Sequence, residues 1–454
     1  MNIGLYLQDA TNTSEEGFYR LLDQVSKRDI DLLVFPEVAW SPLSSEIEEL
    51  AIFSYDGERN DLPEIESLVR SIAERVGCAI IFSACDRSEA IYSLYLNPSP
   101  QKGDTECKLY VKSVVTPFSV FDLSDNGYEE YIDELYEPIS LNGYRLGMTI
   151  CYDATMPAIN RMYGLKEVDA IINSSGGHVD YKKWSYYQKV RAMENQCSTL
   201  CTMSYRDPEA RNNSWIFGYN QFGEVLSFTP LNGKASLSGR NQPGQVYVCS
   251  LNKSCRELGS EVRGETDEYF SQQPTQNKIV EFTINPDHWP QEKRRLRNVE
   301  PGLYTADHNQ KTLVFVEISG EDILHPETVQ RLMYSMAIHD LPNKRYLIIN
   351  PWPEIDCEYY QKVLSNVLKI RSAENYSAVI LHSPNLSACF QVGRNKSFQV
   401  VRRESNGEFG IDLSRTTGPE AIWKNKTLLQ MRASWRDNYE LLLQRVVDFN
   451  EIKK

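Results

Sequence analysis

The chain has 454 residues, more than one ordinary domain needs and enough for two with sizeable cores. Its formal charge of −14 argues against a passive partner of nucleic acid or of an anionic membrane, because phosphates would be repelled unless a local basic patch intervened. The ten cysteines are scattered without a CxxC pair, no apolar run approaches 18 residues, and no charged-then-apolar leader precedes the first expected strand. The expectation is a cytoplasmic protein with reduced thiols.

In chain order, the first third alternates short apolar runs with amphipathic stretches, the pattern of strands and helices that pack as layers. Residues 2–8 read as a strand and 15–28 as a helix with Phe18, Leu21, Leu22 and Val25 on one face. Residues 31–35 read as a buried strand ending at Pro36-Glu37, 64–76 as a helix and 79–83 as a strand. A further strand, 145–150, runs into Cys151, and 170–173 ends at Ser174-Ser175-Gly176-Gly177. Residues 184–201 begin helical and turn apolar.

From about 229 to 276, Gly, Ser, Asn, Gln and charges dominate, broken by a strand-like 245–251; the expectation is an atypical insertion. Strand character returns at 280–284, and 292–297 reads as a basic helix start. After 310 three apolar strands (313–318, 345–350, 377–382) alternate with helices near 326–338 and 357–372, and 425–451 reads as a final helix. The pattern divides the chain into domains at 1–305 and 310–454, the second a smaller α/β domain, and no internal repeat stands out.

Three residues draw attention because each sits at or just beyond the carboxyl end of a predicted strand, where α/β layers place reactive groups. Glu37 follows Leu33-Val34-Phe35-Pro36, and a carboxylate among apolar neighbours suits a general base. Cys151 closes Gly147-Met148-Thr149-Ile150, and a thiol at such a turn has a following backbone N–H, that of Tyr152, to offer a substrate oxygen. Lys112 ends Tyr110-Val111-Lys112, ahead of Pro117-Phe118. Each alone has a bland reading: a turn acid, a buried thiol, a solvated lysine.

The order Glu, Lys, Cys, at these spacings, resembles the nitrilase, or carbon–nitrogen hydrolase, superfamily. Phe35-Pro36-Glu37, Tyr110-Val111-Lys112 and Ile150-Cys151-Tyr152-Asp153 with Pro157 and Arg161 are similar to its glutamate, lysine and cysteine motifs. Gln8, Trp184 with Arg191-Ala192-Met193-Glu194-Asn195, residues 213–226, and residues 280–304 are similar to secondary landmarks of the same family.

The resemblance covers residues 1 to about 304 and implies an α/β fold: a nitrilase-like four-layer α-β-β-α sandwich, with a homodimer or higher oligomer. It implies hydrolysis of a non-peptide C–N bond in a small-molecule amide, nitrile or carbamoyl group through a Cys151 thioester, with no metal or organic cofactor. Glu37 would be the base, Lys112 the oxyanion stabiliser, and Tyr152 and Ser174 further oxyanion or substrate-binding groups. The family's second glutamate has candidates at Glu129, Glu130, Glu134 and Glu137, of which Glu130 is taken here. An activated thiolate at Cys151 is expected to label with iodoacetamide before the other nine thiols.

Two other functions stand beside this one: an N-acyltransferase using the same thioester, and a non-catalytic nitrilase-like scaffold. The C-terminal domain reads as a regulatory, docking or oligomerisation module.

Overall fold

The structure is a computed structural model, and it describes residues 1–9, 15–39, 61–85, 91–113, 128–176, 181–205, 215–231, 241–253, 279–392, 398–418 and 441–448. The chain divides into two compact units, Met1–Leu258 and Gly259–Lys454.

The first unit begins with strand β1 (Asn2–Asp9), helix α1 (Glu15–Val25), strand β2 (Leu32–Val34), helix α2 (Asp61–Val76), and strands β3 (Ala79–Cys85), β4 (Ile91–Leu96) and β5 (Cys107–Val111). Helix α3 (Tyr128–Leu135) leads to β6 (Ile139–Leu141) and β7 (Tyr144–Ile150), then a 3₁₀ turn (Cys151–Thr155), α4 (Pro157–Leu165), β8 (Ala170–Ser174), α5 (Tyr181–Asn195) and β9 (Ser198–Thr202). Four short strands complete it: β10 (Ser204–Tyr205), β11 (Phe217–Tyr219), β12 (Thr229–Pro230) and β13 (Gln245–Ser250).

These strands form two sheets. The first runs β12-β13-β1-β2-β3-β4-β5, with β10 joined to β1, and the second runs β11-β9-β8-β7-β6. Helices α1 and α2 cover the first sheet, and α4 and α5 cover the second. Strands β1 and β9, and β4 and β7, meet between the sheets, giving the expected α-β-β-α layering. The apolar face expected on α1 (Phe18, Leu21, Leu22, Val25) is buried against Leu33, Phe35, Ile80 and Phe82. Each such side chain contributes roughly 1.5–3 kcal/mol of burial.

The insertion expected over 229–276 needs correcting, because β13 pairs antiparallel with β1 from Asn2↔Ser250 to Leu7↔Gln245 and so belongs to the core sheet. Residues 232–240 and 254–278 lie outside the described residues.

The second unit contains β14 (Phe282–Ile284), α6 (Trp289–Glu292), β15 (Arg297–Glu300), β16 (Leu303–His308), β17 (Lys311–Glu317), a 3₁₀ turn (Gly320–Leu324), α7 (Pro326–Met333) and β18 (Lys344–Pro351). It continues through α8 (Cys357–Tyr359), a π turn (Tyr360–Leu364), α9 (Ser365–Glu374), β19 (Ala378–His382), β20 (Ser387–Val392), β21 (Phe398–Val401) and β22 (Phe409–Ile411). Strands β15 to β21 form one sheet in sequence order.

The boundary expected near 305 therefore falls earlier. Strand β16 hairpins onto β17 through Asn309-Gln310, both at positive φ, and a two-residue turn of that kind cannot separate two domains. The strand at 280–284, expected to close the first domain, pairs instead with β22. The basic segment expected to start a helix at 292–297 forms a short 3₁₀ turn and then β15. Of the expected final helix, residues 441–448 are helical and the rest lies outside the described residues.

Alternation along the strands of this sheet divides its residues cleanly. Val314, Val316 and Ile318 pack with Val329, Leu332 and Leu368 of the helices, while Leu313 and Phe315 pack with Ile284, Trp289, Phe409 and Ile411.

Candidate active site

Strand β2 is wholly buried, and the chain leaves it at Pro36-Glu37. The turn is held by Phe35 and Ala39, whose N–H groups donate to the carbonyls of Ile81 and Ser83, and Val38 takes a positive φ of 56° that a β-branched residue seldom adopts. Hydroxyls of the second sheet stitch the same edge: Ser174 donates to Phe35 O at 2.8 Å and Thr202 to Tyr6 O at 2.5 Å. The Glu37 N–H meets Ser175 O at 3.4 Å. Glu37 is thereby fixed at the seam between the sheets.

Lys112 follows β5, and its Nζ donates to Glu37 Oε1 at 2.6 Å; the two side chains are 2% and 8% exposed. Two charges so deprived of water persist only because each is the other's partner.

Cys151 sits at φ +46°, the first residue of the 3₁₀ turn after β7. Its carbonyl accepts from Asn173 Nδ2 at 3.3 Å. The turn's last two carbonyls, Ala154 O and Thr155 O, accept from Arg191 Nε and Nη2, both at 3.0 Å. Arg191 is fully buried and paired with Glu194, which explains why this helix carries an Arg-x-x-Glu that propensity alone would not demand.

Asp153, fully buried, ties this turn to the lysine strand. Its Oδ2 accepts from Tyr110 Oη at 2.8 Å and Ile150 N at 3.0 Å, and its Oδ1 accepts from Ser113 N at 3.2 Å. Residues on both sides of Lys112 are thus anchored to the turn that carries Cys151. Tyr136 donates to Ser113 Oγ at 2.8 Å and closes the network.

The electrostatics follow from burial. The Cys151 thiol is pushed up to about 12, first by burial and then by the Glu37 carboxylate; Lys112, Ser175 and the Gly176 backbone pull it down. Burial disfavours a charged Lys112, but Glu37, Cys151 and Asp153 outweigh it and raise its pKa, so the lysine stays cationic. At neutral pH the site holds a neutral thiol beside an ion pair.

This arrangement revises the labelling expectation. A neutral thiol 6% exposed reacts slowly with a general alkylating agent, whereas Cys107 and Cys357 are exposed.

Glu37, Lys112 and Cys151 are brought together. Tyr152 is 39% exposed, with its ring edge-on to Trp184, and its backbone follows the thiol. The Ser174 hydroxyl is committed to Phe35 O. Glu130 belongs to α3, and its side chain lies outside the described residues, as do Pro117 and Phe118. Sequence reasoning named Asp153 only as part of a motif; its partners lie up to 43 residues upstream, beyond any local pattern. Among the described residues no group of three or more His, Cys, Asp or Glu is placed to hold a metal ion, and no helix is long and apolar enough to cross a membrane.

Residues 11–218 match the model of the carbon–nitrogen hydrolase family. By that match the chain is similar to the carbon–nitrogen hydrolase, or nitrilase, superfamily over residues 11–218. It is similar to a protein of Pseudomonas protegens described as "Hydrolase in pqqF 5'region", 27% identical over 202 residues that span 43% of this chain and 67% of that one. Among solved structures it is similar to a carbon–nitrogen hydrolase from Helicobacter pylori G27, at 16% identity and TM-score 0.38, covering 54% of this chain and 88% of that one. It is also similar to an amidase from Nesterenkonia sp., at 17% identity and TM-score 0.39, covering 56% and 91%.

Proposed function

We propose that this protein hydrolyses a non-peptide C–N bond of a small molecule, an amide in the first instance, through a thioester on Cys151. The observation that carries the reading is the buried Glu37–Lys112 pair at 2.6 Å, which acts electrostatically on a buried thiol at a positive-φ turn. A scaffold without chemistry has no need of a buried carboxylate, ammonium and thiol in one place, and burying them costs stability.

As the sulfur attacks the carbonyl carbon, its proton passes to Glu37, so a thiolate need not exist beforehand. The carbonyl π electrons move to oxygen, where Lys112 and the Tyr152 N–H stabilise the charge. Collapse of the tetrahedral intermediate breaks the C–N bond, and the proton held by Glu37 leaves with the amine. Water then gives a proton to Glu37 and its oxygen to the thioester carbon; the acid departs and sulfur recovers its proton. Nitriles and carbamoyl groups present a similar electrophilic carbon and belong to the same substrate class.

The test is turnover of a panel of small primary amides by the wild-type chain and by Cys151→Ala, Glu37→Gln and Lys112→Met. The reading requires turnover of at least one amide by the wild type. It also requires that turnover to vanish in Cys151→Ala and to fall by ~10²–10³ or more in Lys112→Met. Unchanged turnover by Cys151→Ala contradicts it.

A further inference from the structure

The second unit repeats the strand order and several particular side-chain hydrogen bonds of the half of the first unit that carries Cys151. Strands β6-β7-β8-β9-β11 lie side by side with antiparallel, parallel, parallel and antiparallel pairings, and β16-β17-β18-β19-β20 do the same. Each set opens on a hairpin whose two turn residues both have positive φ, Asn142-Gly143 in one and Asn309-Gln310 in the other. Shared order alone would be weak, because right-handed crossovers generate it in many α/β folds. The side-chain bonds are far more particular.

After β7 comes a five-residue 3₁₀ turn starting at Cys151 with φ +46°; shortly after β17 comes a five-residue 3₁₀ turn starting at Gly320 with φ +52°. Asn173 Nδ2 donates to Cys151 O, and Asn350 Nδ2 donates to Gly320 O at 3.0 Å. Arg191 grips the fourth and fifth carbonyls of its turn; Arg371 Nε and Nη2 grip Ile323 O and Leu324 O, the fourth and fifth of its own, at 2.9 and 3.0 Å. Each arginine is fully buried, pairs with a glutamate three residues on, and accepts from an asparagine four residues on: Glu194 and Asn195, Glu374 and Asn375. Each turn is followed by a helix with proline at its start, Pro157 or Pro326, six residues past the turn's first residue. Each arginine helix ends at a positive-φ residue, Gln196 or Tyr376, just before the next strand.

We propose that residues 303–392 are a duplicate of the cysteine-bearing half, that Gly320 stands where the nucleophile stands in the original, and that this copy is catalytically silent. The absence of a repeat in the sequence reading is thereby corrected. Insertions shift the offset from 169 residues at Cys151/Gly320 to 180 at Arg191/Arg371, and the local strings common to both are short: Ile-Ile-Asn, ending at Asn173 and Asn350, and Arg-x-x-Glu-Asn.

Two further facts fit a silent copy. Asp153, buried in the first unit by partners from the lysine strand, has Asp322 as its counterpart, and Asp322 is exposed. The sheet face holding Leu313, Phe315, Leu347 and Ile349 is covered by Ile284, Trp289, Phe409 and Ile411 of its own unit. The glutamate-and-lysine half thus has no equivalent among the described residues packed on this copy. The duplication rests on backbone geometry and hydrogen bonds; only its silence depends on Cys151 being the nucleophile.

The test places Gly320→Cys in the full-length Cys151→Ala chain. A Cβ added at 320 meets nothing within 4 Å, and the half that buries Cys151 has no equivalent among the described residues of this copy, so a thiol there should be open to solvent. The expected result is a fold retained with the melting temperature lowered by a few degrees. The introduced thiol should be alkylated by iodoacetamide in the native protein within about tenfold of the rate of exposed Cys357, with no return of turnover. Loss of the fold overturns the equivalence of Gly320 and Cys151, and a thiol protected well beyond tenfold overturns the absence of a covering half on this copy. Turnover that appears only with the new thiol overturns the silence. Melting and labelling need no substrate, so they stand whatever becomes of the amide reading, which fails separately if Cys151→Ala alone still turns over.

Discussion

Asp153 accepts a hydrogen bond from the backbone N–H of Ser113, the residue directly after Lys112, at 3.2 Å. The same carboxylate accepts from Tyr110 and from Ile150, the residue before Cys151. One side chain therefore sets where the ammonium and the thiol stand relative to each other.

Asp153→Asn tests that role. An amide presents N–H groups where the carboxylate met only donors, so at least one contact turns repulsive, at about 1–3 kcal/mol for a buried group left unpaired. The expected outcome is a lowered melting temperature, and a kcat reduced at least tenfold with KM less affected, because the misplaced groups act on the reacting carbon. A kcat equal to wild type in the folded variant would show that Asp153 serves stability alone.

The Glu37–Lys112 pair makes a prediction about coupling. Removing either partner leaves the other charge buried alone, at about 3–5 kcal/mol. Glu37→Gln and Lys112→Met should each destabilise strongly, while the double variant should lose much less than the sum. Denaturant unfolding of the four proteins reads the coupling; additive losses would mean the charges are solvated or otherwise paired.

Alkaline pH supplies a third test. Thiols titrate near 8.5 in the unfolded chain, whereas Cys151 and Cys78 are raised to about 12 and Cys249 to about 11, each chiefly by burial. Above about pH 9 the unfolded state has released protons that the folded state keeps, so stability falls as pH rises. The fall should run from about pH 9 to 12 and be smaller in Cys151→Ala, measured as the denaturant midpoint against pH. A Cys151→Ala profile that superposes on wild type would contradict the buried, protonated thiol.

Gly147 lies on β7, where an added Cβ would fall 2.6 Å from the ring of buried Tyr163, itself fixed by its hydroxyl donating to Met148 O at 2.8 Å. Gly147→Ala should destabilise by about 1–3 kcal/mol and displace α4, the helix that follows the cysteine turn. Thermal unfolding measures it; a neutral effect would mean the strand and helix separate easily.

Much of this site was legible before the structure. Glu37 and Cys151 each follow a strand whose apolar run is visible, Lys112 is marked only by its short motif, and the order of the three carries the resemblance. What periodicity cannot state is which strand pairs with which, so residues 280–304 read as the close of the first domain although β14 pairs with β22 and β16 with β17. Residues such as Asp153 and Asn173 act through contacts distant in sequence. The duplicated half escaped notice because its likeness resides in backbone turns and in two strings, Ile348-Ile349-Asn350 and Arg371 with Glu374 and Asn375, too short to register in the sequence.

The measurement that bears most directly on the site's chemistry is the intact mass of the wild-type protein, quenched in acid within the first turnovers of an activated acyl ester. Peptide mapping then locates the added mass. A thioester is expected as one acyl group per chain, on the peptide carrying Cys151, removable by hydroxylamine and absent in Cys151→Ala. Product formation with no acyl group on Cys151, or with the acyl group on another residue, would contradict the assignment.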